Sequence, residues 1–152
     1  MNKPLWAPTP ARVSSSNFAR FREFVAPRAG SMSFEALHEW SVTHPEDFWS
    51  ELWDFAGVIG DKGKKPWLTE AGKMPGARFF PSGRLNYAEN LLRYADDDQE
   101  LVFWGEDKVK SRLRGPDLRD GVARIQRFLK ARGVGAGDRV AAIMPNMPQS
   151  IV

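Results

Sequence analysis

The apolar positions in the first half of the chain recur at the three- and four-residue spacing of helices. Residues 1–10, with prolines at 4, 8 and 10, predict an extended arm instead, because proline fixes φ and lacks a backbone donor. A helix is predicted after the serine run 14–16, ending at Pro27 and Gly30, and another after Ser33, since serine caps helix N-termini. The apolar positions that define these two helices are Phe18, Phe21, Phe24 and Val25, then Phe34, Leu37 and Trp40.

Residues 40–55, WSVTHPEDFWSELWDF, hold three tryptophans and two phenylalanines in sixteen positions. Thr43 and Glu46 have capping-box spacing and Pro45 suits a first turn, which predicts a helix that ends within residues 57–60. Its apolar face is Phe48, Trp49, Leu52, Trp53 and Ala56, and its polar face is Glu46, Asp47, Ser50, Glu51 and Asp54. Because so many rings need a large surface to cover them, we expect this helix to pack against the rest of the protein.

Two further segments complete this half of the chain. Residues 61–83 combine glycine, proline and lysine with isolated aromatic side chains, and predict a long irregular connection over a surface. A helix starting at Asn86, with Glu89 three positions later, is predicted to end at the acidic run 96–98. Its apolar positions are Tyr87, Leu91 and Tyr94.

The last third of the chain begins with a predicted β-hairpin. The apolar run 101–104 and the alternating residues 109–114 form its strands, joined by a turn at 105–108. The basic side chains of Lys108, Lys110, Arg112 and Arg114 could contact a nucleic-acid backbone. We favour a solvated strand edge, since basic side chains discourage edge pairing and no aromatic residue interleaves with them for base stacking.

After the hairpin the pattern predicts a helix, a strand and the start of another helix. Asp117 can cap the helix, whose apolar positions are Leu118, Val122, Ile125 and Leu129 and which ends in residues 132–138. RVAAIM (139–144) predicts a buried strand, and residues 145–152 predict a new helix. The predicted fold class is mixed α/β. Because the last residues open an apolar segment, we expect the sequence to be truncated.

Composition narrows the class of protein without identifying it. With 42% hydrophobic and 27% charged residues the chain is globular rather than disordered. It has no cysteine, which excludes disulfides and thiolate metal sites, and no apolar run near the ~18 residues of a membrane span. The start lacks the features of a secretory signal, so a cytoplasmic location is expected. The net charge of +3 is a mild excess, and nucleic-acid binding is not predicted.

No motif in residues 1–152 predicts a catalytic, cofactor-binding or metal-binding residue. GVIGDKGKK (57–65) lacks the glycine spacing of a phosphate-binding loop and follows a helix rather than a strand. GVGAGD (133–138) lies between a helix and a strand, the reverse of a dinucleotide-binding order. His38 and His44 lack metal-ligand spacing. The glycine-rich segments are therefore expected to be a solvated loop and a helix end.

Four stretches of the sequence together resemble the N-terminal part of the acyl-adenylate-forming family, over essentially all 152 residues. They are PLWAPTP, LHEWSVTHPEDFWSELWDF, GARFFPSGRLNYAENLL and GVGAGDRVAAIMPNMPQ. The second and third resemble the short-chain acyl-CoA synthetases in particular. The residues PLW of the N-terminal arm and the particular sequence of the helical section favour, within this family, the branch that activates acetoacetate.

The resemblance implies a division of the chain and a reaction for the intact protein. Residues 1–84 would be a helical N-terminal extension and residues 85–152 the start of a large adenylate-forming domain. The intact ligase would use ATP, Mg²⁺ and CoA, with an acyl-adenylate as intermediate, while the family's phosphate loop and catalytic lysine would lie beyond Val152. Acetate or propionate as substrate, or a non-catalytic helical interaction module, remain the alternatives.

Overall fold

The computed structural model describes residues 5–30, 33–95, 98–106 and 108–152, which form helices and small antiparallel sheets. They fall into two compact units, a first unit of Met1–Asn86 and a second unit of Tyr87–Val152. In the described residues the first unit has four helices: α1 (Pro10–Ser14), α2 (Asn17–Ala29), α3 (Phe34–Thr43) and α4 (Pro45–Phe55). It also has four short strands: β1 (Gly60–Asp61), β2 (Leu68–Thr69), β3 (Arg78–Phe79) and β4 (Arg84–Leu85). The second has α5 (Tyr87–Leu92), β5 (Glu100–Trp104), β6 (Lys110–Arg114), α6 (Gly115–Ala131) and a 3₁₀ turn at Pro148–Ser150.

The predicted serine caps of α2 and α3 are confirmed. Ser16 Oγ accepts a hydrogen bond from Ala19 N and Ser33 Oγ accepts one from Ala36 N, each at 3.1 Å. Two predictions near these helices are wrong in detail. Pro10 begins α1 rather than ending an extended arm, because proline is tolerated in a first helical turn, and residues 1–4 of that arm lie outside the described residues.

The end predicted for α2 at Pro27 is also wrong, because the helix continues through this residue to Ala29. A proline there removes one N–H, which frees a single carbonyl on an exposed side of the helix. The helix ends at Gly30, as predicted, where φ is 77° and the backbone turns out of the helix.

The core of the first unit lies where α2, α3 and α4 meet. Its buried side chains are Phe21, Val25, Leu37 and Trp40, with Ala29, Phe48, Leu52 and Phe55 packed against them. The ring of Phe21 contacts Phe48 edge-on at 5.8 Å and Phe55 at 5.1 Å between centroids. The apolar spacing of three short helices therefore converges on one aromatic cluster.

The capping box predicted for α4 does not form. Thr43 is the last residue of α3, and its hydroxyl donates to the Glu39 carbonyl at 2.7 Å. His44 stands at the N-cap of α4 without a side-chain bond to the helix. Its N–H donates to the Trp40 carbonyl and its own carbonyl accepts from Phe48 N, so one residue ends α3 and begins α4.

The segment 61–83, predicted as irregular, is folded back on itself by two small ladders. β1 pairs antiparallel with β4, and β2 pairs antiparallel with β3. Gly63 has a φ of 72°, and a Cβ at this position would lie 2.3 Å from Ser82 Oγ. This close approach requires glycine, which is a constraint that residue spacing alone did not reveal.

In the second unit the predicted hairpin and helix are confirmed with shifted limits. β5 and β6 pair antiparallel with Leu101 opposite Leu113. α5 ends at Leu92, before the acidic run, of which residues 96 and 97 lie outside the described residues, as does residue 107 of the hairpin turn. α6 starts at Gly115, so Asp117 lies in its first turn rather than at its cap, because Pro116 can occupy that turn directly after β6.

The buried strand predicted at 139–144 is not present. These residues belong to no strand or helix of the described part of the chain, and Val140, Ile143 and Met144 are 62%, 106% and 48% exposed. A strand needs a neighbour that satisfies its backbone, and no described strand provides one. Residues 145–152 contain the 3₁₀ turn instead of a helix of α type.

Candidate functional site

The tryptophans of α4 are covered by the segment 61–83, which we call the covering segment. The ring of Trp49 contacts Phe79 at 5.4 Å and that of Trp53 contacts Phe80 at 4.8 Å between centroids. Phe80 itself holds a positive φ of 45°. Part of the apolar face of α4 therefore packs against the chain's own loop, although Trp49 remains 41% exposed.

Lys62 fastens the start of the covering segment to the polar side of α4. Its ammonium group donates to the carbonyl and hydroxyl oxygens of Ser50, both at 3.0 Å, and to Asp54 Oδ2 at 2.6 Å. These three acceptors match the three donors of an ammonium group. Ser50, which the sequence pattern assigned to an exposed polar face, is only 4% exposed beneath this contact.

Trp67 forms a second attachment between the covering segment and α4. Its backbone N–H donates to Glu46 Oε1 at 2.7 Å, and its indole N–H donates to the Gly63 carbonyl at 3.1 Å. The ammonium groups of Lys62 and Lys65 lie 5.2 and 4.6 Å from its ring centroid, within cation–π range. Glu46, predicted to cap α4, thus binds the covering segment instead.

Glu51 joins α4 to α2. Its Oε2 accepts from Arg28 Nη1 at 2.5 Å, and the residue as a whole is 8% exposed. The polar face of α4 therefore binds two other parts of the first unit, the covering segment and α2. Its partners lie 12, 21 and 23 positions away in the sequence, so helical periodicity could not identify them.

A hollow of about 730 Å³ lies between these contacts, within the size range of small-molecule sites. Its walls are Arg28, Ala29, Trp40, His44, Asp47, Ser50, Glu51, Asp54, Lys62, Lys65 and Trp67. Within these walls Arg28 pairs with Glu51 and Lys62 with Asp54. The charges of Arg28 and Lys62 are thus neutralised by the walls themselves, and these ion pairs hold α2 and the covering segment against α4.

The two glycine-rich segments use their amides within the protein. Gly63 N donates to Asp61 Oδ1 at 2.8 Å, and Lys64 N donates to Ser82 Oγ at 3.0 Å. Near the end of α6, Gly133 has a φ of 79°, and Gly135 N donates to Asp138 Oδ2 at 2.8 Å. The first segment is therefore a loop held by its own hydrogen bonds, and the second is the end of α6.

The two histidines lie in different environments. The ring of His38 stacks on Phe34 with 6.3 Å between centroids, while His44 Nδ1 lies 2.9 Å from Thr43 Oγ1. Because the Thr43 hydroxyl already donates to Glu39, it accepts from Nδ1. Within the described ranges no group of three or more His, Asp or Glu residues is placed to hold a metal ion.

The hairpin has an aromatic residue on its basic face, contrary to the sequence-based expectation. The register places Trp104 directly opposite Lys110, whose ammonium group lies 4.8 Å from the ring centroid. The strand-to-strand register reveals this neighbour, whereas inspection of residues 109–114 alone does not. Trp104 is 69% exposed.

No helix in the described part of the chain is long and apolar enough to cross a membrane. Residues 34–91, which include α3, α4 and the covering segment, match the family model of the acetyl-coenzyme A synthetase N-terminus. This model describes the N-terminal region of a class of CoA synthetases.

Individual relatives refine this class. Over 98% of its length the chain is 46% identical to the acetoacetyl-coenzyme A synthetase of Rhizobium meliloti (strain 1021), of which it spans 23%. It is 32% identical, over 79% of its length and 18% of the relative, to a malonamoyl-CoA synthetase of Penicillium aethiopicum. The solved acetoacetyl-CoA synthetase from Streptomyces lividans matches 98% of this chain with 24% of its own, at 33% identity and a TM-score of 0.78.

The chain is thus similar throughout to the N-terminal region of the acetoacetyl-CoA synthetases, and the resemblance inferred from the sequence is confirmed. It spans about a quarter of the length of these relatives.

Proposed function

We propose that this chain is the N-terminal part of an ATP-dependent acid–thiol ligase that converts acetoacetate and CoA to acetoacetyl-CoA. The reaction would pass through an acyl-adenylate and release pyrophosphate and then AMP. The observation that carries the proposal is the 46% identity to an acetoacetyl-coenzyme A synthetase across 98% of the chain. The match to the solved Streptomyces lividans structure supports it with a shared fold.

In this proposal residues 1–84 form the helical N-terminal extension and residues 85–152 begin the large domain. The division of the described chain into two compact units supports it. The Trp-rich helix α4 would hold the extension in shape through the covering segment. The exposed part of the apolar face of α4, including Trp49, would pack against the remainder of the large domain.

The intact ligase would bind ATP, Mg²⁺ and CoA in the cytoplasm, but we assign none of them to a residue of this chain. The described carboxylates form no cluster that fits a metal ion, and the amides of the glycine-rich loop bond within the protein. The chemistry of adenylation requires cationic groups at the α-phosphate and exclusion of water from the intermediate. Residues 1–152 would contribute to the exclusion of water by completing the fold of the ligase.

A second candidate is an acetyl- or propionyl-CoA synthetase, which the family model for the acetyl-coenzyme A synthetase N-terminus favours. The full-length protein should be assayed for AMP release with acetoacetate, acetate, propionate and malonamate side by side. We expect the highest kcat/KM with acetoacetate. A higher kcat/KM with another acid would identify that acid as the substrate. No AMP release with any of the four acids would favour a non-catalytic interaction module.

The 152-residue chain assayed alone should show no ATP–pyrophosphate exchange, because no phosphate-binding loop is proposed within it. Full-length protein in the same assay is the control. Exchange catalysed by the short chain would contradict our division of the ligase.

A further inference from the structure

Within the described residues, β6 presents both a backbone edge without a strand partner and basic side chains. Hydrogen bonds from Gly105 N and Gly115 N, at 2.6 and 2.9 Å, join the two strands at the ends of the hairpin. In an antiparallel ladder hydrogen-bonded pairs alternate with non-bonded pairs. Counting inward from these ends, Lys110 and Arg112 belong to non-bonded pairs, so their N–H and C=O groups point away from β5.

The side chains of the same two residues lie on the exposed face of the hairpin. Lys110 lies over the ring of Trp104, and Arg112 Nη1 is 2.5 Å from Glu100 Oε2. Both basic residues are exposed. We call these two residues, with their outward-pointing backbone groups, the basic edge of β6.

Two physical arguments indicate that the basic edge has a strand partner. The sheet of β5 and β6 has only two strands in the described residues, with α6 in contact with β6, and a third strand would add to its stability. Basic side chains discourage pairing with most strands, which is why the sequence pattern favoured a solvated edge, but an acidic strand avoids this penalty because opposite charges on adjacent strands attract. An acidic strand is the partner that satisfies both the backbone groups and the charge.

We propose that an extended acidic segment of the same polypeptide, outside residues 1–152, pairs with the basic edge of β6 and places Asp or Glu side chains beside Lys110 and Arg112. We assign the acidic segment to the same polypeptide because the chain spans only 23% of a relative that is 46% identical to it. The inference rests on the proposal that this chain belongs to a longer ligase. It does not depend on the ligase being active or on its substrate.

Residue-resolved hydrogen exchange on the full-length protein without substrates tests the pairing. The amides of Ser111 and Leu113 bond to β5 and serve as protected references, while Lys108 in the turn serves as an exposed reference. We expect the amides of Lys110 and Arg112 to exchange about 100-fold more slowly than that of Lys108, as amides in a sheet do. Exchange at the rate of Lys108 would overturn the proposal.

Zero-length carbodiimide cross-linking identifies the partner's chemistry and source. The reagent joins the Lys110 ammonium group to a carboxylate in contact with it as an amide, with loss of water. We expect a cross-link from Lys110 to an Asp or Glu beyond residue 152 of the same polypeptide. In a mixture of isotopically light and heavy protein, a light–heavy cross-link would show a second copy instead, and capture of another protein would also overturn the proposal.

Charge reversal tests the electrostatic part. Lys110→Glu with Arg112→Glu should accelerate exchange at both outward amides by about tenfold or more, through repulsion of the acidic strand. Arg124→Glu with Arg127→Glu on α6 changes the charge equally and should leave these amides unaffected. If reversal opens the hairpin itself, Ser111 and Leu113 will accelerate too, and the milder Lys110→Gln variant replaces it; unchanged outward exchange in that variant would refute the charge selection.

Discussion

At the scale of single residues, the contacts that organise the first unit are polar and distant in sequence. Lys62 is only 17% exposed at its side chain and reaches α4 from a loop that periodicity describes as irregular. Glu46, Ser50 and Asp54 all face this loop. Residue spacing correctly placed them on one side of α4 but could not show that this side is covered.

Replacing Lys62 should loosen the covering segment. Lys62→Met should lower the free energy of unfolding by about 1–3 kcal/mol, because it leaves the nearly buried Ser50 without its charged donor. Lys64→Met is the matched control, since the Lys64 contacts to Ser82 are made by the backbone. Urea denaturation of the full-length variants measures both, and equal stability of the two would contradict the role of Lys62.

The two tryptophans covered by phenylalanines should differ in their contribution. Burial predicts a loss of about 3–5 kcal/mol for a core Trp→Ala change. Trp53→Ala should approach the lower end of that range, and Trp49→Ala should cost less within this chain because Trp49 is 41% exposed. A larger loss at Trp49 in the full-length protein than in the isolated chain would indicate that the rest of the protein covers this side chain.

At the scale of elements, sequence patterns identified most helices and the hairpin, and they failed where a residue serves two elements. Ser33 caps α3 as its position predicts. Thr43 has equally suitable chemistry and spacing, yet the helix before it extends through Thr43 and takes its hydroxyl. Capping preference is a local energy of about 1 kcal/mol, which neighbouring structure can override.

The two hydroxyl residues provide a direct comparison of a cap and a non-cap. Ser33→Ala should lower the free energy of unfolding by about 1 kcal/mol through loss of its bond to Ala36 N. Thr43→Ala should change it by no more than a few tenths, since the bonds of its hydroxyl to Glu39 and His44 are solvent-exposed and alanine suits the end of α3. Thermal unfolding monitored by circular dichroism distinguishes them, and a larger effect at Thr43 would restore the capping box.

At the scale of the whole molecule, much apolar surface of the second unit remains exposed. Ile125 and Phe128 of α6 are 47% and 55% exposed, and Val140 and Ile143 of the segment 139–144 are exposed too. This exposed apolar surface is a candidate interaction site, because large exposed apolar patches typically mark one. It is consistent with a chain that spans about a quarter of its relatives.

The isolated 152-residue chain should therefore self-associate. We expect sedimentation velocity to show oligomers and a hydrophobic dye to bind, and Val140→Asn with Ile143→Asn should reduce both. The same pair of changes in the full-length protein should lower its stability, if the remainder covers these side chains. A monodisperse isolated chain that melts sharply and binds no dye would contradict this expectation.

The sequence by itself determined α2, α3 and α4 of the first unit, the hairpin and the family resemblance, because apolar periodicity, serine caps and contiguous motifs are local in the chain. The tertiary structure decided the closing of the covering segment onto α4, the pairing of Lys62 with Asp54, the bond from Trp67 N to Glu46, and the position of Trp104 beside Lys110. It also decided that RVAAIM forms no strand among the described residues. These outcomes depend on which distant groups meet, and a strand or an ion pair forms only when its partner is present.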